Sequence, residues 1–297
     1  MSRLANWQLF AICVLVWGTT WYAITWQIAD VAPEFAVALR FALAGTVVLA
    51  FAARRGVPLR FTPRDHARLA LQGAFMYGLS YVCVYHAERH VVSGLVAVGY
   101  SASPLVVSLG AAAAFGAALS ARFLLGGLVG LAGVTLIFWP EIAGPSPGAR
   151  SALGTAFTVA AVLLSAVGSL SASRNRHHGL PFWPALGYGM VYGALAALLA
   201  SLALGRELRL PTDAAWWLSL LYLAIAGSVL TFACYLTLQD RLGPGPAGTI
   251  GVMTPLLALL VSLAFEGYRP QWPTLLGAAL AIAGNVAMLS RGAAARG

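Results

Sequence analysis

The sequence predicts an all-α integral membrane protein of ten transmembrane helices, arranged as two inverted five-helix repeats. Three observations carry this expectation. The 297 residues are 60% hydrophobic and only 9% charged, far below the roughly 25% charge of a soluble domain. The apolar residues come in runs of about 20, the length that crosses a bilayer core. A displacement of 151 residues also lays the second half of the chain on the first, with prolines and several glycines in register.

The spans follow in order. The first, 7–29, comes after Arg3 and carries WGTTWYA. Its run is too long for a signal-peptide core and has no clean small-residue cleavage site, so it is expected to be retained. The second, 34–53, follows the turn signal DVAPE and contains ALRFALAG. After RRGVPLRFTPRD comes the third, 67–87, where Tyr77, Tyr81 and Tyr85 recur every four residues and share one helix face. The fourth, 93–118, holds AVGYSASPLVVSL. Its Pro104 removes a backbone hydrogen bond, a defect tolerated at membrane depth only inside protein or beside a water-filled cavity.

The fifth span, 123–139, carries GGLVG, and the seventh, 182–204, carries GMVYG. Both have small residues four apart, which lets helices approach closely. PEIAGPSPGAR separates the halves and leads into the sixth span, 151–173, with SAVGSLSA. The eighth, 215–238, stops at RLGPGP. The ninth, 246–265, contains TIGVMTPLLALLV, and the tenth, 273–290, follows.

The displacement places Pro104 on Pro255, Gly94 on Gly245, Gly116 on Gly267, Gly126 on Gly277 and Gly133 on Gly284. Leu79 meets Leu230 and Cys83 meets Cys234, with no gap from the third span through the fifth. The repeats are drawn as 1–144 and 145–297. Five helices each, an odd number, give them opposite orientations. Inverted repeats are common in secondary transporters, with the site near the midplane.

The net charge of +9 comes from eighteen arginines and no lysine. Almost all lie in short gaps between apolar runs, which is topological information and not a nucleic-acid patch. With the N-terminus inside, twelve fall on the inner side and five (Arg89, Arg150, Arg206, Arg209, Arg269) on the outer. The positive-inside rule therefore expects both termini in the cytoplasm. Cys13, Cys83 and Cys234 sit within spans and are expected to pack as small hydrophobes. No HExxH, GxSxG or acid–histidine cluster suggests catalysis. A phosphate loop would need a lysine after a strand, and no metal or other cofactor is expected.

The two five-helix halves, LVWGTTWYA, ALRFALAG, and a proline before each glycine-rich last helix resemble the drug/metabolite transporter superfamily, EamA type. The resemblance covers essentially the whole chain. It implies an exporter of amino acids and other small metabolites in the bacterial inner membrane. Within the family the chain is most similar to the aromatic and neutral amino-acid exporters of the YddG type. It also implies a central hydrophobic cavity lined by spans 1, 3, 4, 6, 8 and 9, with spans 5 and 10 behind, and alternating access.

Charge within the spans narrows the substrate. Arg40 is the one basic residue there; Asp30, Glu34, Glu88, Glu141 and Asp240 fall in loops or at span ends, and Glu266 ends the ninth span. A phosphorylated solute would call for cavity arginines or lysines, and a cationic drug for a mid-membrane carboxylate. A neutral or zwitterionic solute with an apolar body fits, above all neutral and aromatic amino acids. The candidate substrate-binding residues are Trp17, Trp21, Tyr77, Tyr81, His86, Tyr100, Ser101, Ser103, Ser165, Ser169, Thr231, Met253 and Thr254, with Pro104 and Pro255 as helix kinks.

Each has a plainer role as alternative. Aromatics gather at membrane interfaces. Trp7, Trp139, Trp216 and Trp217 are expected there, and Tyr85 and Trp26 can be belt residues too. His86 either titrates during transport or is simply interfacial. Arg40 either meets a substrate carboxylate or pairs with loop carbonyls and headgroups. Alternatives to the amino-acid exporter are an exporter of other amphipathic metabolites or drugs, a channel, and an integral-membrane enzyme. The expected partners are the small-molecule substrate and the lipid bilayer; a monomer is compatible with this reading.

Reporter fusions check the orientation. A fluorescent protein on the C-terminus is expected to be bright, and alkaline phosphatase inserted at 206–209 is expected to be active. The opposite pattern rejects the assignment.

Overall fold

The computed structural model describes residues 4–116, 119–143, 149–242 and 250–289, and all regular structure among them is helical. Local signals set the helix ends. Pro33 enters the first turn of α2 (Pro33–Arg54), where its missing N–H costs nothing. Thr62 caps α3 (Pro63–Gly73), accepting from the Asp65 N–H at 3.2 Å. Gly116 and Gly267 adopt φ of 68° and 65° just after helices; this left-handed stop suits glycine.

Among the described residues seven helical stretches are long and apolar enough to cross a membrane. They are α1 (Asn6–Thr25), α2, Ser93–Phe115, Ala121–Pro140, Ser151–His177, α9 (Phe182–Ala203) and Ala214–Tyr235. Met253–Phe265 and Trp272–Met288 are shorter apolar helices. Residues 243–249, including Gly245 and the start of the expected ninth span, lie outside the described residues, as do Arg3, Arg291 and Arg296.

Among the described residues three of the expected spans depart from plain α-helix. The expected third span is α3, a π-helical segment at Ala74–Leu79, then α4 (Ser80–Glu88). The eighth is α10 (Ala214–Leu221), a π segment at Tyr222–Leu230, then α11 (Thr231–Leu242). The two π segments end at Leu79 and Leu230, which the 151-residue displacement superposes. The fourth is two helices, α5 (Ser93–Tyr100) and α6 (Ser103–Phe115), joined by a turn at Ser101 and Ala102. Pro104 therefore lies in the first turn of a new helix, while Pro255 is inside the continuous α12 (Ile250–Phe265). The two prolines share a sequence position but not a backbone form.

The chain divides into two compact units. One comprises residues 1–22, 90–156 and 230–297. Its α7 (Ala121–Ala143) and α13 (Trp272–Leu289) meet through glycines. A Cβ on Gly126 would lie 2.8 Å from the Gly284 carbonyl oxygen, and one on Gly133 would lie 2.5 Å from that of Gly277. Seven residues forward on one helix match seven back on the other, so the pair is antiparallel. The displacement maps Gly126 onto Gly277 and Gly133 onto Gly284, exchanging one contact for the other.

In the same unit α12 caps α5. Ser93 N–H and Oγ donate to the Glu266 carboxylate at 3.3 and 2.7 Å, and Gly94 N–H donates to Ser262 Oγ at 2.9 Å. A carboxylate at a helix N-terminus satisfies donors that lipid cannot. Leu9, Cys13, Cys234, Leu238 and Ile250 form a buried cluster.

The other unit comprises residues 23–89 and 157–229. Here α9 packs through Gly187, Gly189 and Gly193 against α2 and the α3–π stretch. A Cβ on Gly45 would meet the Gly187 oxygen at 2.9 Å, and one on Gly78 would meet that of Gly193 at 2.7 Å. Asn175 on α8 (Ala149–His177) donates to Gln72 Oε1 at 2.9 Å. Gln27 Nε2 donates to the Trp216 carbonyl at 2.9 Å, and Trp216 Nε1 returns a bond to the Gln27 carbonyl at 3.1 Å. Trp216 is 2% exposed, so its expected place in an interfacial belt is corrected: Gln27 gives the indole a partner inside the protein. Trp7, Trp139 and Trp217 are exposed, as belt residues would be.

The glycine contacts predict a stability effect. Gly277→Val is expected to lower melting temperature and yield in detergent, since overpacking costs about 1–3 kcal/mol. Gly251→Ala, where a Cβ meets nothing within 4 Å, should change neither. Equal melting by the two variants would remove close approach as the basis of the α7–α13 contact.

Candidate functional site

The tyrosine stripe of the second unit packs on α2. Tyr77 is 3% exposed, with its ring edge against Gly189 and its Cβ against Gly193. Tyr81 is half-buried, edge-on to Phe41 at 4.8 Å. Tyr85 is fully buried, and its hydroxyl accepts from Arg40 Nη1 at 3.5 Å, so it is not a belt residue. Phe41 also touches Tyr77 at 5.5 Å. The stripe thus has two neighbours that spacing could not supply, Arg40 and Phe41. The signal was present in ALRFALAG, an arginine–aromatic pair inside an apolar run.

His86 is tied to a buried acid. Its Nε2 lies 2.8 Å from Glu34 Oε1, and its ring stacks on Phe157 at 4.9 Å. Glu34 is 1% exposed, and Arg206 Nε approaches the same oxygen at 3.7 Å. Glu34 Oε2 is buried with no hydrogen-bond partner among the described residues. Sequence reasoning placed Glu34 at a span end, which is correct in position, but missed its burial. Ser165 and Ser169 lie one turn apart on α8, both half-buried, beside Gly168, which abuts Met76.

The other unit holds the remaining candidates. Trp17 meets Phe232 and Tyr235 at 5.4 and 5.5 Å. Trp21 lies 5.4 Å from Tyr100, just before the turn between α5 and α6. Ser101 and Ser103 have buried hydroxyls with no hydrogen-bond partner among the described residues. Ser101 borders a small void together with Pro255, Leu259 and Asn285. Thr231 is fully buried and its carbonyl accepts from Cys13 Sγ at 3.6 Å. Thr254 returns its hydroxyl to the Ile250 carbonyl at 2.8 Å, so it serves its own helix. Met253 is 43% exposed.

Span-length apolar helices, charge held mostly at their ends, and polar groups buried where the helix is interrupted define a multi-pass membrane protein. The chain belongs to the EamA-like transporter family, which matches residues 6–139 and again 152–290. One similar protein carries a name of the same class, and two more are similar over most of their length. The "uncharacterized inner membrane transporter YedA" of Escherichia coli strain K12 is 27% identical over 87% of this chain and 82% of its own. Protein PagO of Salmonella typhimurium is 24% identical over 88% and 84%. Protein PecM of Dickeya dadantii is 24% identical over 97% and 95%. A solved crystal structure shares the fold with a TM-score of 0.68, covering 95% of this chain and 96% of that one at 20% identity.

The Glu34–His86 contact predicts coupling. His86→Ala leaves the buried carboxylate with the looser Arg206 contact at 3.7 Å and is expected to cost about 1–3 kcal/mol. With Glu34→Gln already present the same change should cost less, a coupling of about 0.5–3 kcal/mol. Thermal melting of the four proteins in detergent measures it, and strictly additive losses would refute it.

Proposed function

We propose that the protein is an inner-membrane exporter of small amphipathic metabolites, above all neutral and aromatic amino acids, working by alternating access around a central apolar cavity. The carrying observation is the chemistry of its helices: aromatic and hydroxyl groups gathered where the helices are interrupted, with Arg40 the one arginine away from the ends of the apolar runs. Aromatic faces suit an apolar side chain, and hydroxyls suit a carboxylate or amine. The inner-membrane assignment is supported by the name of YedA.

The architecture of this reading is ten spans in two inverted repeats, 1–144 and 145–297, with both termini cytoplasmic. The family match in two parts supports it. So do the paired ends of the π segments and the exchanged glycine contacts, since a two-fold relation between antiparallel helices turns each contact into the other. Trp17, Trp21, Tyr81, Tyr100, Ser101 and Ser103 are the residues assigned to the substrate path. Tyr77 and Thr254 are assigned to packing, from their burial and partners.

Proteoliposomes test the function. Unlabelled Phe, Trp, Met or Leu is expected to compete with a labelled neutral amino acid for saturable uptake, measured with and without a pH gradient. Tyr81→Ala and Trp21→Ala are expected to lower flux more than expression. A panel without amino-acid flux, alongside carriage of a cationic dye, would overturn the reading.

A further inference from the structure

One end of the unit built from residues 23–89 and 157–229 gathers exposed arginines from three elements. Arg54 and Arg55 lie at the end of α2, Arg60 in the turn that follows, Arg64 in the first turn of α3, and Arg174 and Arg176 in the last turn of α8. All six are exposed, and among the described residues none of them forms an ion pair. Asp65, the acidic residue within this stretch, is held by Arg68 at 3.0 Å. Tertiary bonds bring the elements together. The Tyr188 hydroxyl of α9 donates to the Leu59 carbonyl at 3.0 Å, and that of Tyr192 lies 2.9 Å from His66 Nδ1. Asn175, between Arg174 and Arg176, donates to the Arg68 carbonyl at 3.3 Å. A row of rings lies one turn back along α2: Phe51, 38% exposed, is 5.0 Å from Trp183, and Trp183 is 5.5 Å from Phe182. Arg55 Cζ sits 5.1 Å over the Phe51 ring.

We propose that this end of the unit seats an anionic phospholipid of the surrounding bilayer, its phosphate on Arg54 and Arg55 and its acyl chains along Phe51, Phe182 and Trp183. Like charges gathered on one surface repel, and a phosphate relieves them because a guanidinium holds two of its oxygens at once. The rings stand just inside the charge, at the depth where aromatic side chains meet the start of the hydrocarbon. A soluble polyanion would use the arginines but leave the rings idle, so the pairing of the two rows favours a lipid. Arg60, Arg64, Arg174 and Arg176 extend the attraction to neighbouring headgroups. The seat does not depend on which solute the protein carries.

The test uses the full chain in a neutral detergent, with phosphatidylglycerol and phosphatidylcholine as probes and native mass spectrometry to count the lipids retained. Phosphatidylglycerol is expected to be retained in preference and to raise the melting temperature, both effects weakening as salt is added. Arg54→Gln combined with Arg55→Gln should weaken its binding about fivefold for each charge removed. Arg54→Lys combined with Arg55→Lys keeps the charge without the fork and should recover part of that loss. Arg209→Gln, exposed in the segment after α9, is the control and should leave the preference unchanged.

Equal retention of the two lipids, an undiminished preference in the Arg54→Gln and Arg55→Gln protein, or an equal loss in Arg209→Gln would overturn the proposal. Inorganic phosphate separates the two sources of the anion. It is expected to leave the melting temperature where it was, and a shift equal to that of phosphatidylglycerol would replace the lipid seat with a plain phosphate site.

Discussion

A bilayer interior offers no water to a backbone N–H or carbonyl, so each must find its partner within the protein. The structure follows from how this chain meets that demand where regular helix fails. At the start of α5 the partner is the Glu266 carboxylate with Ser262. In the second π segment Ser228 bonds the Leu223 carbonyl at 2.9 Å, five residues back, and just past the first, Ser80 bonds that of Met76 at 2.9 Å. Small hydroxyls accompany the irregular turns because they can reach backbone acceptors that a changed helical period leaves open. π turns are rare in helices and frequent at functional sites.

The same scarcity of water governs charge. Arg89 spends its guanidinium on the Ile28 and Val31 carbonyls at 3.0 Å each, closing the turn before α2. Glu34 is held by His86 at the first turn of α2, where the helix dipole also favours a negative charge. Arg40, deeper in the same helix, reaches the Tyr85 hydroxyl at 3.5 Å and lies over the rings of Phe41 and Tyr81. Arginines that look alike in sequence thus divide by what the guanidinium meets: backbone carbonyls for Arg89, a hydroxyl and two rings for Arg40.

Helix existence was legible because apolar runs of span length and Pro/Gly punctuation act locally; the Ser93 start and the Phe182–Ala203 helix fall within a residue or two of the positions expected. The π segments were not legible, since one extra residue per turn leaves hydrophobicity unchanged. The role of Pro104 was half legible: a defect was expected, but a sequence does not say whether proline bends a helix or opens a new one. Burial of Trp216 and Glu34 depended on Gln27 and His86, partners 189 and 52 residues away. Single-residue reasoning put Trp216 in an interfacial belt and Glu34 in a loop or at a span end because it could not see those partners.

The α7–α13 contact carries a consequence for descent. Gly126 answers to Gly284 and Gly133 to Gly277, and the family's two matches put one member of each pair in each half. A larger side chain at any of the four would need an accommodating change in the other half. Along this seam the two matched segments therefore share a constraint: a wider helix surface in one needs a narrower one in the other.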